Sequence, residues 1–391
     1  MKQLKLLATF VALASVLLTG CQKEQDSAVA PFSAKQNVQL ATASLARLRQ
    51  LQASLPAGTE EKLKQPSALL LKTDPQFRDV ARRALAVEPS ACDANTALNQ
   101  WLGHELFDWN AEVFGYVRRF AMLDLPAYDA LVFENSSAAQ SFGLNGEYTQ
   151  RLTKTFKDLR RFWNIQSTGM VLAAMHGSML QDRAKVARTY VAVFELTPKT
   201  AEILADIVVE LTNLVPQYRG GNHPIFTFNA FALEGFDFPP YGVIPNKIVM
   251  GDGIMAAYTG IGYGDVAPQA ILAHEFGHQV QFQLGVFGSV TSPEATRRTE
   301  LMADAYSAYY LSHARGAAMQ WKRVQEFLQV FFNIGDCAFT NDGHHGTPTQ
   351  RMAAAQWAYN LANDAQRQGQ ILPAQEFTRL FEAQLPQIVA Q

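Results

Sequence analysis

Apolar positions recur every three or four residues through "LARLRQLQASL", "LNQWLGHELFDWNAEVFGYVRRFAML", "YTQRLTKTFKDLRRFWNI" and "AEILADIVVELTNLV". That period places one apolar stripe along a helix. Helix-breaking signals punctuate the pattern at Pro56, Pro66, Pro126, Asn145-Gly146 and Pro198. Residues 38–220 therefore read as a helical region. The texture changes at Gly220-Gly221, where "IFTFNAFAL" and "KIVMG" are β-rich and a proline-rich stretch separates them. Two strands joined by a loop are the simplest reading. After Pro268 the helical period returns and continues to the C-terminus. The expected fold class is α+β and mainly helical, with a small sheet or hairpin ahead of the later helices.

The chain has 391 residues, 48% of them apolar, enough to bury a large core. Its start follows a different logic. Lys2 and Lys5 precede an apolar run from Leu6 to Leu18, and then comes Leu18-Thr19-Gly20-Cys21. About thirteen apolar residues are too few to span a bilayer, which needs ~20. The pattern resembles a bacterial lipoprotein signal, with 1–20 the leader and Cys21 the lipidated first residue, its thiol carrying diacylglycerol and its amine acylated. Gln22 in place of aspartate points, under the sorting rule of such lipoproteins, to the outer membrane, and the periplasmic side is the expected face. Residues 21–37 are polar and small, as suits a flexible tether. In an oxidising compartment Cys92 and Cys337 are expected to pair, the alternative being two buried thiols. Losing Lys2 and Lys5 makes a formal charge of -2 more acidic, and no basic run suggests nucleic acid as a partner.

Within "ILAHEFGHQVQFQLG", His274 and His278 are four apart and share one helical face, so both imidazoles can aim at one point. Glu275 sits about 100° further round, placed to touch a water held there rather than to be a ligand itself. Pro268 and Gly285 supply the helix with a start and a stop. Zinc in a catalytic site takes three protein ligands, so a third is required. A second helix follows Ser292-Pro293 and ends before Gly316. On it Glu300 and Asp304 share a face with the small residues Ala303, Ser307 and Ala308, which allow another helix to come close. Glu300 is the expected third ligand, and Glu294 in the first turn is the competitor. Asp304 is expected to accept the outer N–H of His274 and fix its tautomer. In "GDCAFTNDGHHGTPTQRMAAAQWAYNLA", Thr347, Pro348 and Gln350 read as cap, first helical residue and capping-box partner. His345, rather than His344, then stands in the preceding loop as a hydrogen-bond donor for an oxyanion. Tyr306 is a weaker candidate for that role, since the aromatic residues of "YSAYY" suit a core.

Taken together, "HEFGH", "ELMAD" and "HGTPTQR" resemble the bacterial neutral zinc metallopeptidases and the HtpX-type gluzincins. The resemblance covers about residues 226–361. It implies a zincin-like core, Zn2+ on His274, His278 and Glu300, catalysis by Glu275 with His345, and support from Asp304 and Arg351. It also implies that Asn229, Ala230 and Phe231 belong to an edge strand that pairs with extended substrate backbone. Gly346 departs from the proline that HtpX-type enzymes carry after the late histidine, and a lipid stands here in place of their transmembrane helices. Residues 221–391 are the expected catalytic region, acting on protein or peptide substrates as an envelope endopeptidase in which Glu275 assists attack by water. The alternative is a zinc-stabilised lipoprotein that binds envelope proteins or assists their assembly without cutting them. A cell-wall amide hydrolase is a third reading that no residue favours.

Overall fold

The computed structural model describes residues 34–64, 96–287, 292–334, 346–364 and 369–391. Side chains are described for these except at 34–42 and 331–334. The expected leader at 1–20, and Cys21, Cys92, Cys337, His344 and His345, lie outside the described residues. The chain divides into two units, Met1–Ala43 and Ser44–Gln391, and the second holds the fold.

In chain order the described elements begin with helices α1 (Ala34–Ala53), α2 (Thr59–Leu63), α3 (Ala97–Glu105), α4 (Ala111–Arg119), α5 (Leu125–Phe133) and α6 (Thr149–Phe162). Strand β1 (Val171–Met175) and helices α7 (Arg183–Phe194) and α8 (Pro198–Leu214) follow. Next come strands β2 (Ala230–Leu233), β3 (Phe236–Asp237), β4 (Val243–Ile244) and β5 (Lys247–Gly251). The chain ends with α9 (Asp252–Gly260), α10 (Ala267–Leu284), α11 (Pro293–Ser312), α12 (Trp321–Ile334), α13 (Pro348–Ala362) and α14 (Ala374–Val389). The protein is thus mainly helical with a small sheet, as its periodicity predicts. Among the described residues no helix is long and apolar enough to cross a membrane.

Several punctuation signals act as expected. Pro198 opens α8 behind a Thr197 cap whose side chain accepts from Thr200 N. Pro126 starts a helix rather than ending one, lying in the first turn of α5. The β-rich run 225–233 is shorter as a strand than it reads. Pro224–Thr227 forms a 3-10 turn, opened by Pro224 and capped by the His223 side chain accepting from Ile225 N, and Gly251 and Gly253 pack directly against the carbonyls of Pro224, Thr227 and Asn229.

The main sheet has the order β1-β5-β2. β2 runs antiparallel to β5, with Phe231 opposite Val249, while β1 runs parallel to β5, with Ala173 opposite Val249. β3 and β4 form a separate hairpin between β2 and β5. The 38–220 pattern predicts helices alone, so β1 is an addition. It brings a segment from the helical region into the sheet that the later strands build.

Alternation along the strands divides the core in two. Leu172, Ala174, Ile248 and Met250 face one cluster, with α6 and α9 to α14. Val171, Ala173, Met175, Val249, Phe231 and Leu233 face the other, with α4, α5, α7 and α8. The small residues Ala230 and Ala232 turn toward the first cluster and leave room for α10. Gln279 of α10 donates to the carbonyls of Leu233 (2.9 Å) and Lys247 (3.0 Å), locking that helix to the sheet. The α6 helix, from before residue 220, packs on α10 through Phe156 and Phe276, so segments from both sides of that point build both layers. The side chain of the same Lys247, buried and with its pKa pushed down to about 7 by that burial, donates to Ala130 O, Leu131 O and Asn135 Oδ1 at 2.7–2.9 Å. These bonds satisfy carbonyls in the last turn of α5 and tie that helix to β5.

Candidate metal centre

The two helices that carry the candidate ligands are buried nearly all round. α10 begins with Pro268 in its first turn and ends at Gly285, whose φ of 64° closes the helix by a left-handed turn. Ser292 caps α11 by accepting from Ala295 N, with Pro293 at its first position. Their approach depends on small residues. A methyl group on Gly277 would stand 3.1 Å from Ala303 Cα and 3.2 Å from Tyr306 Cβ, and Ser307 Oγ donates to Ala270 O at 2.8 Å. The "FG" of "HEFGH" therefore serves packing: Phe276 fills the core and Gly277 lets α11 come close.

This close crossing brings His274, His278 and Glu300 together. The two Nε2 atoms are 3.1 Å apart, and each lies 3.3 Å from a different oxygen of Glu300. Charge-assisted N–H···O bonds are usually about 2.7–2.9 Å long, so these contacts are loose for ion pairs. The same separations suit a tetrahedral zinc site, in which bonds of about 2.0–2.1 Å would place neighbouring ligand atoms about 3.3 Å apart. Two imidazoles and a carboxylate are also the donor set that zinc accepts. The residues fit the ion on both counts.

Asp304 meets His274 from the neighbouring helix. His274 Nδ1 donates to its Oδ1 at 2.8 Å, which leaves His274 Nε2 to face the cluster. Arg351, at the start of α13, holds the same carboxylate from the other side, Nε to Oδ2 at 2.7 Å and Nη2 to Oδ1 at 2.6 Å. Its Nη2 also lies 3.9 Å from Glu300. The predicted capping box positions α13, with Thr347 and Gln350 each bonding the other's backbone N–H. Gly346 lies against Leu301 and Arg297 of α11, so the residue after His345 sits beside the helix that carries Glu300.

Charge in this pocket is tightly coupled. Burial disfavours a charged His274, yet hydrogen bonds to Asp304 and Glu300 push its pKa up to about 10. Burial likewise opposes protonation of His278, and Glu300 raises it. Arg351 is held above its ordinary value by Asp304 against the cost of burial. The pocket thus draws positive charge to its centre, and a metal ion competes with protons for that place. Burial pushes the Glu275 carboxyl up, partly offset by His274 and His278. Glu275 makes no hydrogen bond to a described residue, although it is buried one position from His274.

Other candidates fall elsewhere. Glu294 is exposed in the first turn of α11 and does not join the cluster. Tyr306 is core: its ring stacks on Phe377 with centroids 4.8 Å apart and its hydroxyl bonds Thr378. Ala230 and Phe231 lie on β2, the outer strand of the sheet, and Asn229 directly precedes it, its carbonyl accepting from Gly251 N at 3.0 Å. One partner of the site is absent from the sequence reading. Gln281, fully buried on α10, bonds His278 Nδ1 through Oε1 at 2.8 Å. The signal was its position three residues after His278, on the same face.

The fold and the cluster together define a mainly helical α+β body with a buried His-His-Glu constellation at the crossing of two central helices. No protein-family model, curated protein or solved structure matches the chain.

Proposed function

We propose that the protein is a zinc-dependent endopeptidase of the bacterial envelope, with a zincin-like core similar to that of the neutral zinc metallopeptidases and HtpX-type gluzincins. The observation that carries this reading is the juxtaposition of three converging ligand atoms at 3.1–3.3 Å with the buried carboxylate of Glu275, which has no hydrogen-bond partner among the described residues. His274, His278 and Glu300 hold the ion. Zn2+ supplies Lewis acidity toward a carbonyl and lowers the pKa of bound water to about 7.

The chain's own residues do the rest. Glu275, its pKa raised by burial, takes the proton of the attacking water and returns it to the leaving amine. Asp304, clamped by Arg351, holds His274 in the tautomer a ligand needs. His345 is assigned to the oxyanion, a role supported by Gly346 lying against α11. The outer edge of β2, with Asn229, Ala230 and Phe231, receives extended substrate backbone. Lipid on Cys21 anchors the protein to the periplasmic face of the outer membrane.

The test is metal content together with cleavage of an unfolded protein, wild type against Glu275→Gln. Both proteins are expected to hold about one zinc per chain, with cleavage lowered by about 10²–10⁴-fold in the variant. Wild-type protein that holds zinc and cleaves nothing would favour the zinc-stabilised binding lipoprotein instead.

A further inference from the structure

Gln281 joins the two metal-bearing helices in a way that dictates the chemistry of His278. The main-chain carbonyl of Thr299 can only accept a hydrogen bond, so the Gln281 amide must turn its NH2 toward it, at 2.7 Å. Its Oε1 is thereby turned toward His278 Nδ1, at 2.8 Å. An amide oxygen can only accept, so Nδ1 carries the hydrogen. In the neutral ring that leaves the lone pair on Nε2, the atom that faces His274 and Glu300.

We propose that Gln281 is a positioning residue of the metal centre: an amide relay through which the backbone of α11 fixes the tautomer and ring plane of His278. This rests on the zinc reading above. Three observations carry it. Gln281 is fully buried, and both ends of its amide are bonded. Its own carbonyl accepts from Val286 N at 3.0 Å and from Gly285 N, so the closing turn of α10 pins the relay's backbone. Thr299 immediately precedes Glu300, so one side chain sets the second histidine and the carboxylate ligand relative to each other.

The neutrality of the relay also matters. Among the described groups around the site, Glu275, Glu300 and Asp304 are acidic and Arg351 is basic. A divalent cation balances that set. His274 can use a charged partner because Arg351 compensates it, whereas a carboxylate at 281 would leave the buried site negative.

The experiment measures zinc affinity of the full chain by competition with a chromophoric chelator, and thermal unfolding of the metal-free form, for wild type, Gln281→Leu and Gln281→Glu. The leucine variant removes the acceptor and is expected to bind zinc about 10–100-fold more weakly. The glutamate variant keeps an acceptor for His278 but sets a carboxylate against Thr299 O. It should lose metal-free stability while holding zinc at least as tightly as the wild type. Equal loss of affinity in both variants would reduce Gln281 to a helix–helix tie and overturn the proposal. So would a leucine variant within about twofold of wild type, which leaves the zinc reading intact; a wild type that binds no zinc sinks both. Long-range ¹⁵N–¹H spectra of the zinc-loaded wild type give a check free of folding defects. Hydrogen on His278 Nδ1 supports the relay, and hydrogen on Nε2 refutes it.

Discussion

Replacing Arg351 with methionine tests whether the centre is held together by charge as well as by packing. Arg351 is 2% exposed and Asp304 fully buried, and the guanidinium meets the carboxylate through two bonds of 2.7 and 2.6 Å. Arg351→Met keeps most of the volume but leaves Asp304 with His274 as its remaining described partner. Removing one member of a buried pair costs about 3–5 kcal/mol, because the other charge stays desolvated. At about 2–4 °C per kcal/mol, the melting temperature of the variant should fall by about 6–20 °C. Asp304→Asn should also destabilise, by stranding the cation. The double variant strands neither, so it should be more stable than the sum of the single losses by about 1–3 kcal/mol. Thermal unfolding of the four proteins in chelator, and again in zinc, reads the cycle directly. A single Arg351→Met variant melting within about 2 °C of wild type, or strict additivity in the double variant, would refute the view that the pair is coupled.

Two further predictions concern other parts of the fold. Gly277→Ala should cost about 1–3 kcal/mol and weaken zinc binding, because the new methyl meets Ala303 Cα and Tyr306 Cβ and forces α10 from α11; unchanged melting and affinity would contradict the close crossing. His176 donates to Asp252 at 2.7 Å, and that bond raises its pKa above 6.5. Its stabilisation is therefore complete below pH 6.5 and is lost as pH rises through the folded-state value. The urea midpoint of wild type should fall from pH 6 to pH 9 more than that of His176→Gln, and equal falls in the two proteins would refute the linkage.

What was legible in the sequence was what is local. The Pro268 and Gly285 limits of α10, the Ser292-Pro293 start of α11 and the Thr347-Gln350 box each depend on residues within one turn, and the structure has all of them. The small face around Ala303 and Ser307 correctly announced a close helix crossing, which brings Glu300 and Asp304 beside the histidines. β1 was hidden for the opposite reason. "VLAAM" is buried on both faces, so it shows no alternation, and its strand character comes from β5 far along the chain. Gln281 was missed because an amide gives no charge signal, and its role exists only once Thr299 O is beside it.

The parallel pairing of β1 with β5 also sets an order of assembly. β1 leaves the ribosome well before β5, and a parallel partner cannot be supplied by a local hairpin. One edge of the sheet must wait while the intervening helices and the β2–β5 segment are made. The helices that carry His274 and Glu300 come later still. The early segments can form helices at once, but the scaffold under the helices that carry His274 and Glu300 closes only when the second half of the chain arrives. A fragment ending before β5 would carry a completed β1 with no strand beside it, an edge open to aggregation.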